Sequence, residues 1–352
     1  MNDSEIIKRR LINQQIAETN FTNAQEIVAW MAAMQAQEYA MAKWAIGLRL
    51  PGLKDADVEK AFNDGAILRT HLMRPTWHFV TPSDIRWMLA LTAPRVNAAN
   101  AYYYRKFELD TEIFNRSKDT IIKALQGGKS LTRAILKSGL EQEGIVANGL
   151  RLSYIMMHAE LDGIICSGPR QGKQFTYALL DERVPSVKAF ERDEALAQLT
   201  LRYFNSRGPA TLRDFSYWSG LTMKDAKEGI AMLRLHLAFE LIEDQEYIFI
   251  RDRSKNENEI QMTFLMPDYD EYGMSYKDRS AILNLGSSIL QSQDANTASN
   301  HMVVIDGIIK GTWRHTFKNS SVNIETTPFT VLSEKENHAL EKAIKRYKEF
   351  VE

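Results

Sequence analysis

The sequence predicts an α+β protein in which helical units precede a small C-terminal antiparallel β domain. Three observations support this fold class. Apolar residues recur at helical spacing in many segments before about residue 250. An order of three helices followed by a pair of strands occurs at residues 115–180 and again at 193–250. From about residue 260 the pattern becomes β-rich and contains the hairpin signal Asp306-Gly307.

The first 112 residues are predicted to form helices followed by a strand pair. A helix begins near the candidate cap Ser4, a second covers Ala24 to Ala33, and a third follows the Pro51-Gly52 break at about Asp55 to Asp64. Residues 67–80 are instead rich in β-branched and aromatic side chains. We therefore expect a strand pair there, with Pro75 in the turn.

The segment from 113 to 188 gives the clearest pattern. The predicted elements are helices at Lys118 to Leu125, Ser130 to Leu136 and Leu150 to Leu161, strands at Ile164 to Cys166 and Phe175 to Tyr177, and a basic tip at Gly168 to Lys173. Three helices followed by two strands with a basic tip describe a helix-turn-helix with a wing, an architecture common in DNA-binding proteins.

The same order predicts a third unit and then a different C-terminal domain. Expected elements are helices at Asp193 to Phe204, Thr211 to Gly220 and Thr222 to Leu235, and strands at Phe239 to Ile242, Tyr247 to Ile250, Val303 to Ile305, Ile308 to Lys310, Thr312 to Phe317 and Val322 to Thr326. A helix from Glu334 to Phe350 closes the chain. The predicted division is three tandem winged-helix domains at 1–112, 113–188 and 189–255, and a β-barrel or sheet domain at 256–352.

Composition sets limits on function. Lys and Arg total 44 against 45 for Asp and Glu, so the chain lacks the basic excess typical of nucleic-acid binders. The single cysteine, Cys166, excludes an intramolecular disulfide and a cysteine-rich zinc site. The polar N-terminus and the absence of a long apolar run predict no signal peptide and no membrane span. We expect a cytoplasmic monomer without metal or cofactor.

Gln35 and Gln37 lie two positions apart in the run Met34-Gln35-Ala36-Gln37. Two positions apart on a helix, their side chains would point about 200° away from each other. On an extended or irregular segment they would share a face, so joint action requires the backbone to leave the helix near Met34. The spacing alone favours two exposed polar residues on a surface helix.

Several short motifs together resemble the AlkZ-like winged-helix DNA glycosylases. They follow the family's order and are Met34-Gln35-Ala36-Gln37-Glu38, Leu68 to His78, Ser206 to Thr211 with Asp214-Phe215 and Trp218 to Leu221, Tyr269 to Tyr272 with Tyr276 to Arg279, and Val304 to Gly307 with Gly311 to Arg314. One departure is Pro75, where the family pattern has glycine. Because proline has no N–H, a backbone contact to DNA at this position is not expected.

The resemblance implies that tandem winged helices bind double-stranded DNA containing alkylated bases. It also implies hydrolysis of the N-glycosidic bond of alkylated purines, in some members within interstrand crosslinks, with Gln35 and Gln37 as the candidate catalytic residues. A purine alkylated at N7 or N3 is cationic and leaves without a strong general acid. A neutral amide can hold a water molecule by donating and accepting hydrogen bonds, but it cannot deprotonate that water. Catalysis by Gln35 and Gln37 would therefore be limited to cationic lesions.

Basic and polar residues on the predicted strands, wings and helices are candidate DNA contacts. They are Arg69, His71, Arg74, Thr76, His78, Arg151, Arg170, Lys173, Arg213 and Tyr217. The alternatives are a solvated β-ribbon containing one buried histidine, and ordinary surface charge. A metal site is not predicted, because an odd separation places His71 and His78 on opposite faces of a strand and no carboxylate or cysteine lies near.

Asp268, Asp270 and Glu271 form an acidic cluster that could act as a base or a metal site. The nearby Lys277 and Arg279 favour a structural network of ion pairs instead. The remaining functional alternatives to a glycosylase are a non-catalytic winged-helix DNA-binding protein, such as a regulator or damage-recognition factor, and a winged-helix protein scaffold.

Overall fold

A computed structural model describes residues 1–184, 189–251, 262–283, 301–318 and 321–352. These residues form two compact units. Unit 1 combines residues 1–59, 197–218 and 222–352, and unit 2 comprises residues 60–196 and 219–221. The predicted domain boundaries at 188 and 255 lie outside the described residues, and the four-domain division stays a prediction. The fold is α+β with small antiparallel sheets, as the sequence predicts.

The N-terminal segment is mainly helical. Its elements are α1 (Asp3–Asn13), α2 (Ala24–Met31), the short strand β1 (Met34–Gln35), α3 (Tyr39–Arg49) and α4 (Asp55–Asn63). The predicted cap Ser4 is wrong, because extended Asn2 accepts the Glu5 N–H through its side-chain oxygen at 3.0 Å. Helix α2 ends two residues earlier than predicted, because Ala32 adopts a φ of 60° that a helix does not allow.

The predicted strand pair is confirmed in unit 2. Strands β2 (Leu68–Leu72) and β3 (Thr76–Val80) are antiparallel, and Pro75 lies in the turn between them. Thr70 is opposite His78, and His71 is opposite Trp77. Since side chains alternate along each strand, the two histidines lie on opposite faces of the hairpin, as predicted.

The rest of unit 2 follows the predicted order. Its elements are α5 (Pro82–Lys106), α6 (Thr111–Leu125), β4 (Leu131–Thr132), α7 (Arg133–Gln142), α8 (Gly149–Leu161), β5 (Ile165–Ser167), β6 (Thr176–Leu179) and α9 (Leu180–Arg183). The strands form a sheet in the order β4-β6-β5. Met156 and Met157 of α8 are buried. The 25-residue α5 is not predicted, since its internal Pro94 interrupts the helical signal.

The third predicted unit is also present in element order. It contains α10 (Arg192–Arg207), α11 (Leu212–Ser219), α12 (Met223–Met232), β7 (Leu237–Ile242) and β8 (Gln245–Ile250). Thr222 caps α12 as predicted, in a reciprocal arrangement with the side chain of Asp225. The two strands form an antiparallel hairpin.

The C-terminal part of unit 1 contains a four-stranded antiparallel sheet. Its elements are β9 (Thr263–Met266), α13 (Glu271–Met274), α14 (Ser280–Leu283), β10 (Met302–Ile305), β11 (Ile308–Lys318), β12 (Ser321–Pro328) and α15 (Glu334–Val351). The strand order is β12-β11-β10-β9, and the predicted strands at 308–310 and 312–317 form one continuous β11. Helix α15 packs on α3 through Tyr347 and Phe350, whose ring centres lie 5.1 Å from that of Trp44.

None of the helices in the described part of the chain has the length and apolar character needed to cross a bilayer. Within the same residues, no group of three or more histidine, cysteine, aspartate or glutamate side chains is arranged to hold a metal ion.

The turn between β10 and β11 provides a test of the fold. Asp306 and Gly307 have φ values of 50° and 81°, and a Cβ on Gly307 would overlap Cγ2 of Ile7 in α1. Gly52 has a similar φ of 89°, but a Cβ there would meet no described atom within 4 Å. In Gly52→Ala we expect the free energy of unfolding to fall by about 1–2 kcal/mol from backbone strain alone. In Gly307→Ala a further loss of about 1–3 kcal/mol from overpacking should follow. Urea denaturation of both variants measures the difference, and equal losses would contradict the packing of α1 on this turn.

Candidate active site

The segment that contains Gln35 and Gln37 lies between two helices. Helix α2 ends at Met31, residues 34–35 are extended, and α3 begins at Tyr39. The condition that the sequence sets for joint action of the two glutamines, a backbone that leaves the helix near Met34, is therefore met. Gln35 is buried and 7% exposed, whereas Gln37 is exposed.

Buried Arg207, the last residue of α10, fixes the point at which the chain leaves α2. Its guanidinium donates hydrogen bonds to the carbonyl oxygens of Met31 and Ala33, each at 2.8 Å. These carbonyls flank Ala32, whose φ of 60° ends the helix. Carbonyls at a helix end lack intrahelical partners, and a buried one must be satisfied from elsewhere. Arg207 supplies those partners and holds the chain in its turned conformation.

Glu271, the first residue of α13, holds the next part of the segment. Its Oε1 accepts the backbone N–H of Gln35 at 2.8 Å. Its Oε2 accepts hydrogen bonds from Arg207 Nη2 at 2.8 Å, from Trp218 Nε1 at 2.9 Å and from Ser275 Oγ at 2.6 Å. Both oxygens of this carboxylate are therefore engaged by groups of unit 1.

The charge state of Glu271 follows from these contacts. Complete burial by itself raises the pKa of the carboxyl group. The charge of Arg207 and the hydrogen bonds from Ser275, Arg207 and the Gln35 backbone outweigh that effect and lower the pKa to about 2. Glu271 is thus a buried carboxylate at neutral pH, and its position behind the backbone of Gln35 makes it a structural group.

The neighbouring Asp270 forms a second buried ion pair. Its two oxygens accept hydrogen bonds from the guanidinium of Arg49, the last residue of α3, at 2.8 and 3.0 Å. Arg49 also donates to the backbone carbonyl of Gln14 at 2.9 Å. Adjacent carboxylates of α13 therefore bind one arginine beside the end of α2 and another at the end of α3, the two helices that flank Gln35 and Gln37.

The acidic cluster is structural, as predicted, but its predicted partners are wrong. Asp270 and Glu271 pair with Arg49 and Arg207, which are far away in sequence, and Asp268 Oδ1 lies 2.7 Å from His301 Nδ1. Lys277 lies over the ring of Tyr217, and Arg279 donates to the Gly273 carbonyl at 2.7 Å. Proximity in sequence suggested Lys277 and Arg279, whereas only the tertiary fold brings the two arginines to α13.

A cavity of about 810 Å³ in unit 1 does not coincide with the glutamine pair. It lies among residues 15–19, the β9 and β10 strands and α15, and its lining includes Arg49 and Arg346 but neither Gln35 nor Gln37. The position of this cavity therefore does not identify the candidate site. The backbone conformation of residues 32–37 is the feature that does.

Three of the four predicted cations on the β2–β3 hairpin are buried in the structure. The guanidinium of Arg69 lies 4.2 Å from the ring centre of Trp77 and 4.7 Å from that of Phe175. His71 is paired through Nδ1 with the fully buried Glu160, and His78 Nδ1 lies 3.0 Å from the Thr76 carbonyl oxygen. The alternative of a solvated ribbon with one buried histidine therefore does not hold, because Arg69, His71 and His78 all pack inside unit 2.

The other hairpin candidates, Arg74 and Thr76, are half-buried. Arg151 is also half-buried, and its guanidinium donates to the carbonyl oxygens of Phe107, Val146 and Glu108. This side chain therefore joins the end of α5 to the start of α8, a structural contact that the sequence did not reveal.

The candidates on the wing and on α11 differ in exposure. Arg170 is half-buried and donates to the Lys173 carbonyl at 2.6 Å, while the Lys173 side chain is exposed at the tip between β5 and β6. Arg213 is exposed on α11. Tyr217 is half-buried beside Lys277, and its hydroxyl accepts a hydrogen bond from Arg279 at 3.4 Å.

Comparisons with known proteins identify the family of the chain. The model of the AlkZ-like DNA glycosylase family matches residues 28–350. The chain belongs to this family. An interstrand DNA cross-link repair glycosylase of Streptomyces sahachiroi is 25% identical over 209 residues, which is 56% of this chain and 55% of that protein. The match thus spans about half the length of this relative.

The solved structure of Streptomyces sahachiroi DNA glycosylase AlkZ is similar along nearly the whole chain. It superposes with a TM-score of 0.80 over 98% of this chain and 95% of that one, at 20% identity. At this identity the likeness establishes the shared fold. Membership of the family rests on the sequence model that covers residues 28–350.

The buried pair predicts a specific dependence of stability on pH. The folded-state pKa of Glu271 is about 2, below its ordinary value of 4.5. The ionised carboxylate therefore stabilises the fold above about pH 4.5, and this contribution is lost as the pH falls towards 2. In Glu271→Gln we expect the free energy of unfolding to fall by about 3–5 kcal/mol at pH 7, because Arg207 remains buried without its charged partner.

Urea denaturation of the wild type and Glu271→Gln between pH 7 and pH 2 measures this effect. The difference in free energy of unfolding between the wild type and Glu271→Gln should become smaller below about pH 4.5. Glu325→Gln is the control, because Glu325 pairs with Arg314 on the exposed face of the C-terminal sheet and should matter little. A difference that stays constant down to pH 2 would contradict the assigned charge state.

Proposed function

We propose that this protein is a DNA glycosylase that hydrolyses the N-glycosidic bond of cationic N-alkylated purines, with Gln35 and Gln37 as its catalytic residues. The observation that carries the proposal is the non-helical backbone at residues 32–37, held by Arg207 and Glu271. The Streptomyces sahachiroi relative is an interstrand DNA cross-link repair glycosylase, which supports extending the proposal to purines in interstrand crosslinks.

The proposed chemistry follows from what an amide can do. Alkylation at N7 or N3 makes the purine a cationic leaving group, so departure needs no strong acid. The two glutamines would hold a water molecule against C1′ while positive charge develops on the sugar. An amide is a poor base, so the reaction lacks the roughly 10²- to 10⁴-fold contribution that a general base supplies. Uracil and undamaged bases, which are neutral leaving groups, should therefore not be released.

Positioning is then the main source of rate. Displacement of a catalytic group by about 1 Å can cost about 10²-fold in rate. The hydrogen bond from the Gln35 N–H to Glu271 and the hydrogen bonds from Arg207 to Met31 and Ala33 restrict the backbone that carries both amides. These contacts support a role for Arg207 and Glu271 as positioning residues.

The proposed partner is double-stranded DNA containing alkylated bases, bound by tandem winged helices of a monomer without cofactor. The order of three helices and a hairpin at α6–β6 and at α10–β8 supports this reading. Exposed Lys173 and Arg213 and half-buried Arg74, Thr76, Arg170 and Tyr217 are the proposed DNA contacts. The remaining candidates pack within unit 2, so we propose that they support the fold of that unit; they are Arg69, His71, His78 and Arg151.

A glycosylase assay tests the proposal. Incubation with duplex DNA containing N7-methylguanine should release the base and leave abasic sites, and a uracil-containing duplex should remain intact. Gln35→Ala and Gln37→Ala should each slow release by about 10²-fold or more, because each removes one of the groups that position the water. Gln25→Ala is the matched control, since Gln25 is exposed on α2 and precedes the turned segment.

Three outcomes would overturn the proposal. Tight DNA binding without base release on any cationic lesion would favour the non-catalytic DNA-binding alternative. Equal loss of rate in the Gln25 control and the two variants would remove the catalytic assignment. DNA affinity that does not weaken as salt rises would argue against phosphate contacts and favour the protein scaffold.

A further inference from the structure

Unit 2 contains a cavity of about 330 Å³ that the proposed hydrolysis does not use. It lies among β2, β3, β6, the start of α7 and the tip between β5 and β6. A volume of this size falls at the lower end of the range of pockets that hold small organic ligands.

The charge of the lining selects an anion. The cavity is lined by three cationic residues, Arg69, Arg133 and Lys173. No carboxylate occurs among the described residues that line it. The first turn of the ten-residue α7 also lies there, and a helix N-terminus favours negative charge. Thr132, Ser167 and Thr176 add hydroxyl groups to the wall.

The aromatic side chains select a ligand larger than a simple anion. Trp77, Phe175 and Tyr177 line the same cavity. Arg69 lies between two of these rings, 4.2 Å from the centre of Trp77 and 4.7 Å from that of Phe175, and its backbone N–H donates to Ser167 Oγ at 2.8 Å. Phe175 is further packed against Phe62, with ring centres 6.3 Å apart. The aromatic wall is therefore fixed before any ligand arrives.

We propose that this cavity binds a nucleotide, with the base against the aromatic wall and the phosphate beside Arg133 and Lys173. A planar aromatic group joined to an anion matches both halves of the lining, whereas inorganic phosphate would leave the aromatic half unused. Aromatic rings beside cationic side chains are the usual means of binding single-stranded nucleic acid. The nucleotide chemistry rests on the cavity alone, and its origin in DNA rests on the proposed function.

Two side chains give a direct test of the phosphate half. Lys173 is exposed at the tip, so Lys173→Ala should leave the fold intact. Arg133 is half-buried and donates to Ser153 Oγ at 2.7 Å. Lys137 lies on the same helix as Arg133 but pairs with Glu141 outside the cavity, which makes Lys137→Ala the matched control.

Isothermal titration calorimetry with 2′-deoxyadenosine 5′-monophosphate, adenosine and inorganic phosphate measures the binding. We expect the monophosphate to bind more tightly than either of the other two probes. Its Kd should rise about tenfold in Lys173→Ala and in Arg133→Ala, as expected for a lost charge-assisted hydrogen bond, and should not change in Lys137→Ala. Binding should also alter the tryptophan fluorescence of the wild type, and Trp77→Phe should abolish that change while the affinity is kept.

Competition separates the two sources of nucleotide. A short single-stranded oligonucleotide that displaces the monophosphate would place a DNA nucleotide in the cavity, whereas displacement by free nucleotides alone would overturn the DNA origin. Absence of saturable binding, binding of phosphate as tight as that of the monophosphate, or equal effects of Lys173→Ala and Lys137→Ala would overturn the nucleotide site. Gln35→Ala should bind the monophosphate normally, so failure of the glycosylase proposal would not be mistaken for failure of this one.

Discussion

The buried ion pair between Arg207 and Glu271 is the interaction on which the candidate site depends. The two side chains are 0% and 1% exposed. Either charge buried without the other would strongly destabilise the fold. The two side chains also form hydrogen bonds with the backbone of Met31, Ala33 and Gln35. These hydrogen bonds hold the segment that carries the two glutamines in one conformation.

The position of the pair on α13 extends this effect to both flanking helices. Asp270 precedes Glu271 in sequence and binds Arg49 at the end of α3. The four-residue α13 and its N-cap residue Asp270 thus present two adjacent carboxylates to arginines from α10 and α3. Replacing such pairs by apolar groups is often neutral or stabilising, so stability alone does not explain them. Their geometric role, holding the end of α2 and the end of α3 to one short element, gives a reason for their presence.

Local patterns predicted most elements, and tertiary contacts decided the site. The Asp306-Gly307 turn, the β2–β3 hairpin and the helices of unit 2 follow from periodicity and turn chemistry within a few residues. By contrast, Arg207 and Glu271 are 64 positions apart, and no spacing rule joins them. Nor could charge patterning show that Arg69 and His71 are buried, because Phe175 and Glu160, which cover them, come from distant elements.

The same division explains why the glutamine pair was recognisable by resemblance but not by spacing. Gln35 and Gln37 can act together only if the helix ends before them, and that ending depends on a φ of 60° at Ala32. Alanine has no intrinsic preference for this sparsely populated conformation, which costs about 1–3 kcal/mol. The bonds from Arg207 to the carbonyls on either side of Ala32 offset that cost. A neutral amide does not titrate near neutral pH, so nearby charges cannot tune its reactivity by shifting a pKa. In the proposed chemistry, the charged groups of Arg207 and Glu271 instead hold the backbone and thereby set the positions of the two amides.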